Sequence, residues 1–206
     1  EAVYMRELRL FSDWFLPQIL DGSALEDAQA DYVSLWRDML KAVRLEARLF
    51  VHRDYHADNL MWLEDRSGIK RVGLLDFQDA LAGDAAYDLV SLLEDARRDV
   101  PLPLADELKQ HYLQRSGADA ISFSAAYALL AAQRNCKIVG IFTRLAARDG
   151  KQHYLDYLPR VWGHLNHDLE HPLMASLARY MNQYIPVMQR GAIKVQKTAT
   201  QLGLCA

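Results

Sequence analysis

Apolar residues recur at helical spacing along most of the chain, and this pattern breaks only near the middle. A first helical segment is expected to end at Pro17, because proline cannot continue a helix. Ser23 and Glu26 have the spacing of a capping box, which predicts a second helix running to Phe50. The chain therefore starts as a helical protein.

The middle of the chain has the pattern of a β-hairpin. Residues 60–63 and 72–75 are two short apolar runs, and the stretch between them is charged and contains Ser67 and Gly68. Because the rest of the chain has mainly helical spacing, the sequence predicts an α+β fold, mostly helical, with one small hairpin near its centre.

Helical spacing returns at Asp84, a predicted N-cap, and lasts to about position 184. One helix is expected to stop at Gly117, and the longest to begin at Ser122 or Ser124 and end near Arg148. The residues that delimit the last two predicted helices are Pro159 and Pro172.

Composition narrows the class of protein. The 206 residues are 51% hydrophobic and 25% charged, which suits one globular domain and excludes a disordered chain. The formal charge of −3 argues against binding of nucleic acid or anionic membranes through bulk charge. No uncharged apolar run reaches the ~18 residues of a membrane span.

Cys136 and Cys205 lack metal-site spacing and are expected to be reduced thiols, so we expect a cytoplasmic protein.

Polar residues flank the predicted hairpin on both sides. His-Arg-Asp-x-x-x-x-Asn precedes it, at positions 52–59, and Asp76-Phe77 follows it. This order matches the catalytic loop and the metal-binding motif of kinases. In that chemistry Asp54 is the catalytic carboxylate, and Asn59 and Asp76 supply the oxygen ligands that Mg²⁺ prefers.

Two other interpretations use the same residues. His52, Asp54, His56 and Asp58 alternate at period two, so an extended segment could present them to Zn²⁺ or Mn²⁺ in a dinuclear hydrolase. Alternatively, the segment is a surface loop whose carboxylates only cap helices, which is an acceptable explanation for Asp58 and Asp84.

The chain resembles the aminoglycoside phosphotransferase and choline kinase superfamily, whose members are small-molecule kinases with a protein-kinase-like fold. Within it the chain is similar to bacterial N-acetylmuramate/N-acetylglucosamine anomeric kinases of cell-wall recycling. The resemblance implies an ATP- and Mg²⁺-dependent transfer to the anomeric hydroxyl of a sugar. The stretches that carry it are residues 52–62, 73–80, 83–90, 95–100, 133–145 and 157–162.

The resemblance also implies a role for individual residues. Asp54 corresponds to the catalytic aspartate, and Asn59 and Asp76 to the Mg²⁺ ligands. Asp88 matches an aspartate that braces the catalytic loop through its backbone, and His52 is expected to orient the same loop.

Contacts to the acceptor are harder to assign. Gln78 and Asp79 follow the metal aspartate, where the sugar is expected, although they could equally cap a turn. Arg134 and Lys137 are further candidates for substrate binding. The remaining candidates for polar contacts to the sugar or to a lactate carboxylate are Arg97, Arg98 and Asn135. Each of these could also be an ordinary exposed helix residue.

The chain departs from the family where ATP is clamped. Kinases of this fold use a Gly-rich loop and a strand lysine in a first lobe, and neither pattern occurs here. We therefore expect residues 1–186 to be the C-terminal catalytic lobe without its ATP-clamping lobe, and inactive alone. Residues 187–206 are expected to be a basic tail or a peripheral segment.

The expected partners are ATP and a small sugar, with no nucleic acid and no membrane. Alternatives are an aminoglycoside-type antibiotic phosphotransferase and a non-catalytic kinase-like binding module. A protein kinase is disfavoured, because the motif at Asp76 runs into a helix within about eight residues and leaves no room for an activation segment.

Overall fold

The computed structural model describes residues 1–46, 48–195, 197 and 203. The chain forms two compact units. A helical unit contains Glu1–Val43 and Ala131–Ala206, and a central unit contains Arg44–Leu130. Each unit is described by itself below.

The fold is mostly helical, as the sequence predicts. The helices, in chain order, are α1 (Ala2–Leu10), α2 (Gly22–Ala42), α3 (Ala86–Leu93), α4 (Leu102–Ser116), α5 (Ala120–Asp149), α6 (Leu158–Asp168) and α7 (Ala175–Tyr184). A π-helical turn at Phe11–Phe15 and a 3₁₀ turn at Leu16–Gln18 continue α1 to the region of Pro17.

Aromatic residues form the core of the helical unit. Phe11 stacks on Phe15 with ring centroids 4.9 Å apart and on Tyr32 with centroids 5.1 Å apart. Trp162 from α6 lies 5.5 Å from Phe15 between ring centroids. All four side chains are almost fully buried, so this cluster ties α2 and α6 to the end of α1.

The second helix differs from its prediction at both ends. It begins at Gly22 after Asp21, which makes no side-chain cap, so the capping box at Ser23 is wrong. It ends at Ala42, because Val43 adopts an extended conformation. The described residues between Val43 and Phe50 therefore do not continue the helix, and the last of them enter a strand whose pairing the local pattern does not reveal.

Two antiparallel strand pairs lie in the central unit: β1 (Leu49–Val51) with β4 (Leu81–Gly83), and β2 (Leu60–Trp62) with β3 (Val72–Leu74). The β2–β3 pair lies in the segment where the sequence predicts strand, turn and strand, and each strand has three residues. The pair β1–β4 was not predicted.

The capping residues of the central unit also differ in part from the predictions. Asp84 Oδ1 accepts the amide of Ala86, the first residue of α3, at 2.9 Å, but the N-cap position itself is Ala85, one residue later than predicted. The long helix α5 begins earlier than predicted, because Asp119 Oδ1 accepts the amide of Ser122 at 2.8 Å. That bond lowers the pKa of the Asp119 carboxyl. Gly117 ends α4 in a left-handed conformation with φ 66°, as the sequence predicts.

The described part of the segment 187–206 belongs to the helical unit and contacts residues near its N-terminal end. The backbone amide of Lys197 donates to Gln18 Oε1, and its carbonyl oxygen accepts from Gln18 Nε2, each at 2.9 Å. Its ammonium group pairs with Asp21. Most residues after this point, including Cys205, lie outside the described residues. Across the part of the chain that is described, no helix has the length and apolarity needed to cross a bilayer.

Gly140 lies where α5 crosses the end of α1. A Cβ atom at this position would overlap the carbonyl group of Leu10 and the amide nitrogen of Phe11. Gly163 in α6 differs, because a Cβ atom there would meet nothing within 4 Å. The close approach of two backbones explains why a glycine stands inside the longest helix.

Gly140→Ala and Gly163→Ala should therefore change the stability in opposite directions. We expect Gly140→Ala to lower the free energy of unfolding by about 1–3 kcal/mol or more, since backbone must move. Gly163→Ala should raise it by about 0.5–1 kcal/mol, because it removes only the entropic cost of a helical glycine. Urea titration of each variant measures both values. A Gly140→Ala protein as stable as the parent would contradict the close packing.

Candidate active site

The loop at positions 52–59 joins β1 to β2 and carries the predicted catalytic residues. Asp88, on the first turn of α3, holds this loop through its backbone. One carboxylate oxygen accepts the amide of His52 at 2.7 Å, and the other accepts the amide of Arg53 at 2.9 Å. Such charge-assisted hydrogen bonds are stronger than those between neutral groups. The loop is therefore anchored immediately before Asp54.

Two residues of the central unit have a left-handed backbone that non-glycine residues rarely adopt. Arg53 has φ 75° and Asp76 has φ 59°. Each flanks or belongs to a predicted catalytic or metal-binding position, and strain of this kind concentrates at functional sites. The carboxylate of Asp88 supports the first of these conformations through the amide of Arg53.

His52 connects the catalytic loop to the end of β3. Its ring is fully buried, and Nε2 lies 2.7 Å from the carbonyl oxygen of Leu75. Because a carbonyl oxygen only accepts, Nε2 carries the proton and donates it. This nitrogen is therefore not available to a metal, and the ring fixes the residue that immediately precedes Asp76.

The β2–β3 pairing places Asn59 opposite Leu75. The amide of Leu75 donates to the carbonyl oxygen of Asn59 at 2.9 Å, next to the first registered pair of the two strands. The side-chain amide nitrogen of Asn59 donates to the carbonyl oxygen of Asp54 at 2.9 Å. The Oδ1 atom of Asn59 accepts no hydrogen bond from the described residues. The contact of the side-chain nitrogen with Asp54 fixes the orientation of the amide group.

The donor set around Asn59 and Asp76 fits Mg²⁺. One oxygen of Asp76 accepts from Gln78 Nε2 at 2.9 Å, which orients the carboxylate. Amide and carboxylate oxygens are hard ligands, and Mg²⁺ needs only one or two of them from the protein. The alternative interpretation as a dinuclear hydrolase requires a cluster of His, Cys, Asp or Glu side chains. Within the described residues, no three such side chains are grouped so that they could hold a metal ion.

The half-buried carboxylate of Asp54 makes no hydrogen bond to any described residue. Only its backbone carbonyl is engaged, by Asn59 and by the amide of His56 at 3.0 Å. The side chain is thus held on a fixed backbone while both carboxylate oxygens remain able to accept a proton. This is the arrangement that a general base requires.

Gln78 and Asp79 lie just past Asp76. The side chain of Gln78 contacts Asp76, while Asp79 uses its backbone carbonyl to accept from Arg53 Nη1 at 3.2 Å. Their proposed contacts with substrate stay predictions. The structure shows a different contact for each residue. Gln78 donates to the carboxylate of Asp76, and the carbonyl of Asp79 accepts from Arg53 of the catalytic loop.

Arg134 and Lys137 belong to the helical unit. Arg134 is buried, with 6% of its surface exposed. Lys137 Nζ lies 2.9 Å from Glu7 Oε1, and the other oxygen of Glu7 accepts from Gln133 Nε2 at 3.0 Å. The lysine charge is therefore balanced inside the unit. Substrate binding by these two residues stays a prediction.

Arg98 forms an ion pair with Asp58 that the sequence did not reveal. Its Nη2 atom lies 2.5 Å from Asp58 Oδ1, and this bond lowers the pKa of the Asp58 carboxyl. The two residues are 40 positions apart, so no local pattern could have paired them. Asp58, considered above as a metal ligand or a cap, instead connects the catalytic loop to the segment after α3.

Comparison with known proteins identifies the family. Residues 1–127, more than half of the chain, match the phosphotransferase enzyme family. The chain belongs to this family. The superfamily suggested by the motifs is thus confirmed, and with it a kinase-like phosphotransferase domain.

The relatives of this phosphotransferase are sugar kinases by name. An N-acetylmuramate/N-acetylglucosamine kinase of Caulobacter vibrioides is 41% identical over 182 residues, which is 88% of this chain and 50% of that protein. A kinase of the same name from Pseudomonas aeruginosa is 39% identical, over 80% of this chain and 49% of that protein. The protein of that name from Pseudomonas putida is 32% identical over 93% and 56%.

The phosphotransferase chain spans about half the length of the curated relatives it matches. The relatives are named kinases, so they give no support to the prediction that this stretch of chain is inactive.

Removing the carboxylate of Asp88 should release the catalytic loop. We expect Asp88→Ala to leave two amides unpaired, each costing about 1–3 kcal/mol, and to accelerate hydrogen exchange at His52 and Arg53. Asp88→Asn should have a smaller effect, since its amide retains one acceptor oxygen. Exchange monitored by mass spectrometry tests this, with exposed Asp65→Ala as the control. Unchanged exchange at positions 52–53 would contradict the bracing role.

Proposed function

We propose that this phosphotransferase is the catalytic part of a Mg-ATP-dependent kinase acting on the anomeric hydroxyl of N-acetylmuramate or N-acetylglucosamine. The observation that carries the proposal is the half-buried carboxylate of Asp54, which no described side chain engages, on a loop held by Asp88. The names of the relatives support these two sugars as acceptors.

Asp54 would position the acceptor hydroxyl and take its proton. In phosphoryl transfer the transition state is loose, so the base acts late and contributes mainly by orienting the attacking oxygen. The contact of Asn59 with the Asp54 carbonyl keeps the base and one proposed metal ligand in a fixed relation. Both proposed functions of the loop therefore depend on the same short backbone segment.

Asn59 and Asp76 would hold Mg²⁺ through their side-chain oxygens. The bound ion would neutralise negative charge on the transferring phosphoryl group. The hydrogen bond from Gln78 orients the Asp76 carboxylate, and the backbone of Asp76 is left-handed. We further propose that the intact protein acts in the cytoplasm, in cell-wall recycling.

Asp54→Asn should abolish most of the activity without loss of stability. The variant keeps the shape of the side chain but cannot accept the proton, so we expect the turnover number of the intact protein to fall at least about 100-fold. Exposed Asp65→Asn is the matched control and should turn over normally. The assay follows ADP formation with Mg-ATP and each sugar, with kanamycin included to test the antibiotic alternative. Full activity of Asp54→Asn would refute the assignment of the base.

Asp76→Asn should uncouple nucleotide binding from Mg²⁺. Asparagine tolerates the left-handed backbone at this position better than alanine does, so the change removes charge without adding strain. We expect the parent protein to bind ATP more tightly with Mg²⁺ than with EDTA, and the variant to lose this difference. Calorimetric titration measures both conditions. An undiminished effect of Mg²⁺ on the variant would show that Asp76 is not a ligand.

A further inference from the structure

The two sugars in the names of the relatives differ in one charged group. N-acetylmuramate carries a lactyl carboxylate that N-acetylglucosamine lacks, so a cationic side chain placed beside this carboxylate would favour the first sugar over the second. The candidates from the sequence are Arg97, Arg98, Arg134, Asn135 and Lys137. The structure separates them.

Four of these residues are buried or already paired. Asn135 and Arg134 are 0% and 6% exposed. The ammonium group of Lys137 is balanced by Glu7 at 2.9 Å, and the guanidinium group of Arg98 by Asp58 at 2.5 Å. An incoming carboxylate would have to break these contacts or enter a core.

Arg97 differs from all four. Its side chain is exposed and makes no hydrogen bond or ion pair with any described residue, while its neighbour Arg98 is paired with Asp58. The pKa of the Asp58 carboxyl is lowered by its bond to Arg98 and to a smaller extent by nearby cationic side chains that include Arg97, so Arg97 lies close to this pair with its own donors available.

The backbone beneath Arg97 is fixed by buried groups. Asp95, which is 3% exposed, accepts the amide of Arg97 at 2.8 Å. Glu94, which is 8% exposed, accepts from Tyr127 Oη at 2.9 Å. The next residue, Arg98, is tied to the turn Ala57–Asn59 of the catalytic loop through Asp58. The guanidinium group of Arg97 is therefore presented next to a pair that contacts the loop of Asp54.

We propose that Arg97 binds the carboxylate of the acceptor sugar and so sets the preference for N-acetylmuramate over N-acetylglucosamine. Arginine binds a carboxylate through two parallel N–H donors, which also fixes the orientation of the group. Asp58 and Arg98 act as positioning residues that hold the supporting segment against the catalytic loop. This inference rests on the proposed sugar kinase function.

The test compares charged and neutral acceptors in the intact protein. The acceptors are N-acetylmuramate, its methyl ester, which keeps the shape without the charge, and N-acetylglucosamine. In Arg97→Gln we expect kcat/KM for N-acetylmuramate to fall about tenfold or more, as for loss of a charged hydrogen bond. The values for the ester and for N-acetylglucosamine should stay within about twofold, since they lack the charge.

Two further variants make the result specific. Arg97→Lys keeps the charge but not the two parallel donors. It should therefore retain part of the preference for N-acetylmuramate that Arg97→Gln loses. Exposed Arg115→Gln, in the last turn of α4, removes a positive charge elsewhere and should change nothing. Equal losses for all three acceptors, a raised KM for ATP, or no change in the preference of Arg97→Gln would each overturn the inference.

The outcomes also distinguish the inference from the function on which it rests. If the parent protein phosphorylates none of the three acceptors, the proposed function is wrong and the inference falls with it. If the parent phosphorylates them and only the preference is insensitive to Arg97, the function stands and the inference is wrong. Activity on N-acetylglucosamine alone would also overturn the inference.

Discussion

The carboxylate of Asp88 accepts the backbone amides of His52 and Arg53, and the geometry of the catalytic loop depends on this contact. Arg53 has a left-handed backbone that costs energy in a residue with a Cβ atom. A carboxylate has two oxygens, so it can accept two successive amides at once, one on each oxygen. The bond therefore offsets the strain and determines where Asp54 lies.

The antiparallel pairing of β2 and β3 extends that constraint to the metal motif. Leu75 donates its amide to Asn59 and accepts from the His52 ring, so one residue connects the hairpin to both ends of the catalytic loop. Asn59 then contacts the backbone of Asp54. The proposed base and the proposed Mg²⁺ ligands are thus positioned mainly through backbone atoms, which leaves their side-chain oxygens available.

The order of the two polar motifs, one before and one after the predicted strands, was readable from the sequence, because it depends only on residue type and spacing. The helix stop at Gly117 was also predictable, because glycine readily adopts the left-handed conformation that ends a helix. The end of α2 and the pair β1–β4 were not predictable. Leu49–Val51 pairs with Leu81–Gly83, and local propensity contains no information about so distant a partner.

The sequence by itself determined the family, the candidate base Asp54 and the candidate ligands Asn59 and Asp76, because those assignments depend only on residue type and spacing. Tertiary structure decided which charges remain available. It paired Lys137 with Glu7 and Arg98 with Asp58, and left Arg97 exposed. Ion pairs between residues far apart in the chain form only when folding brings their elements together, so a list of charged residues cannot show which of them can still bind a substrate.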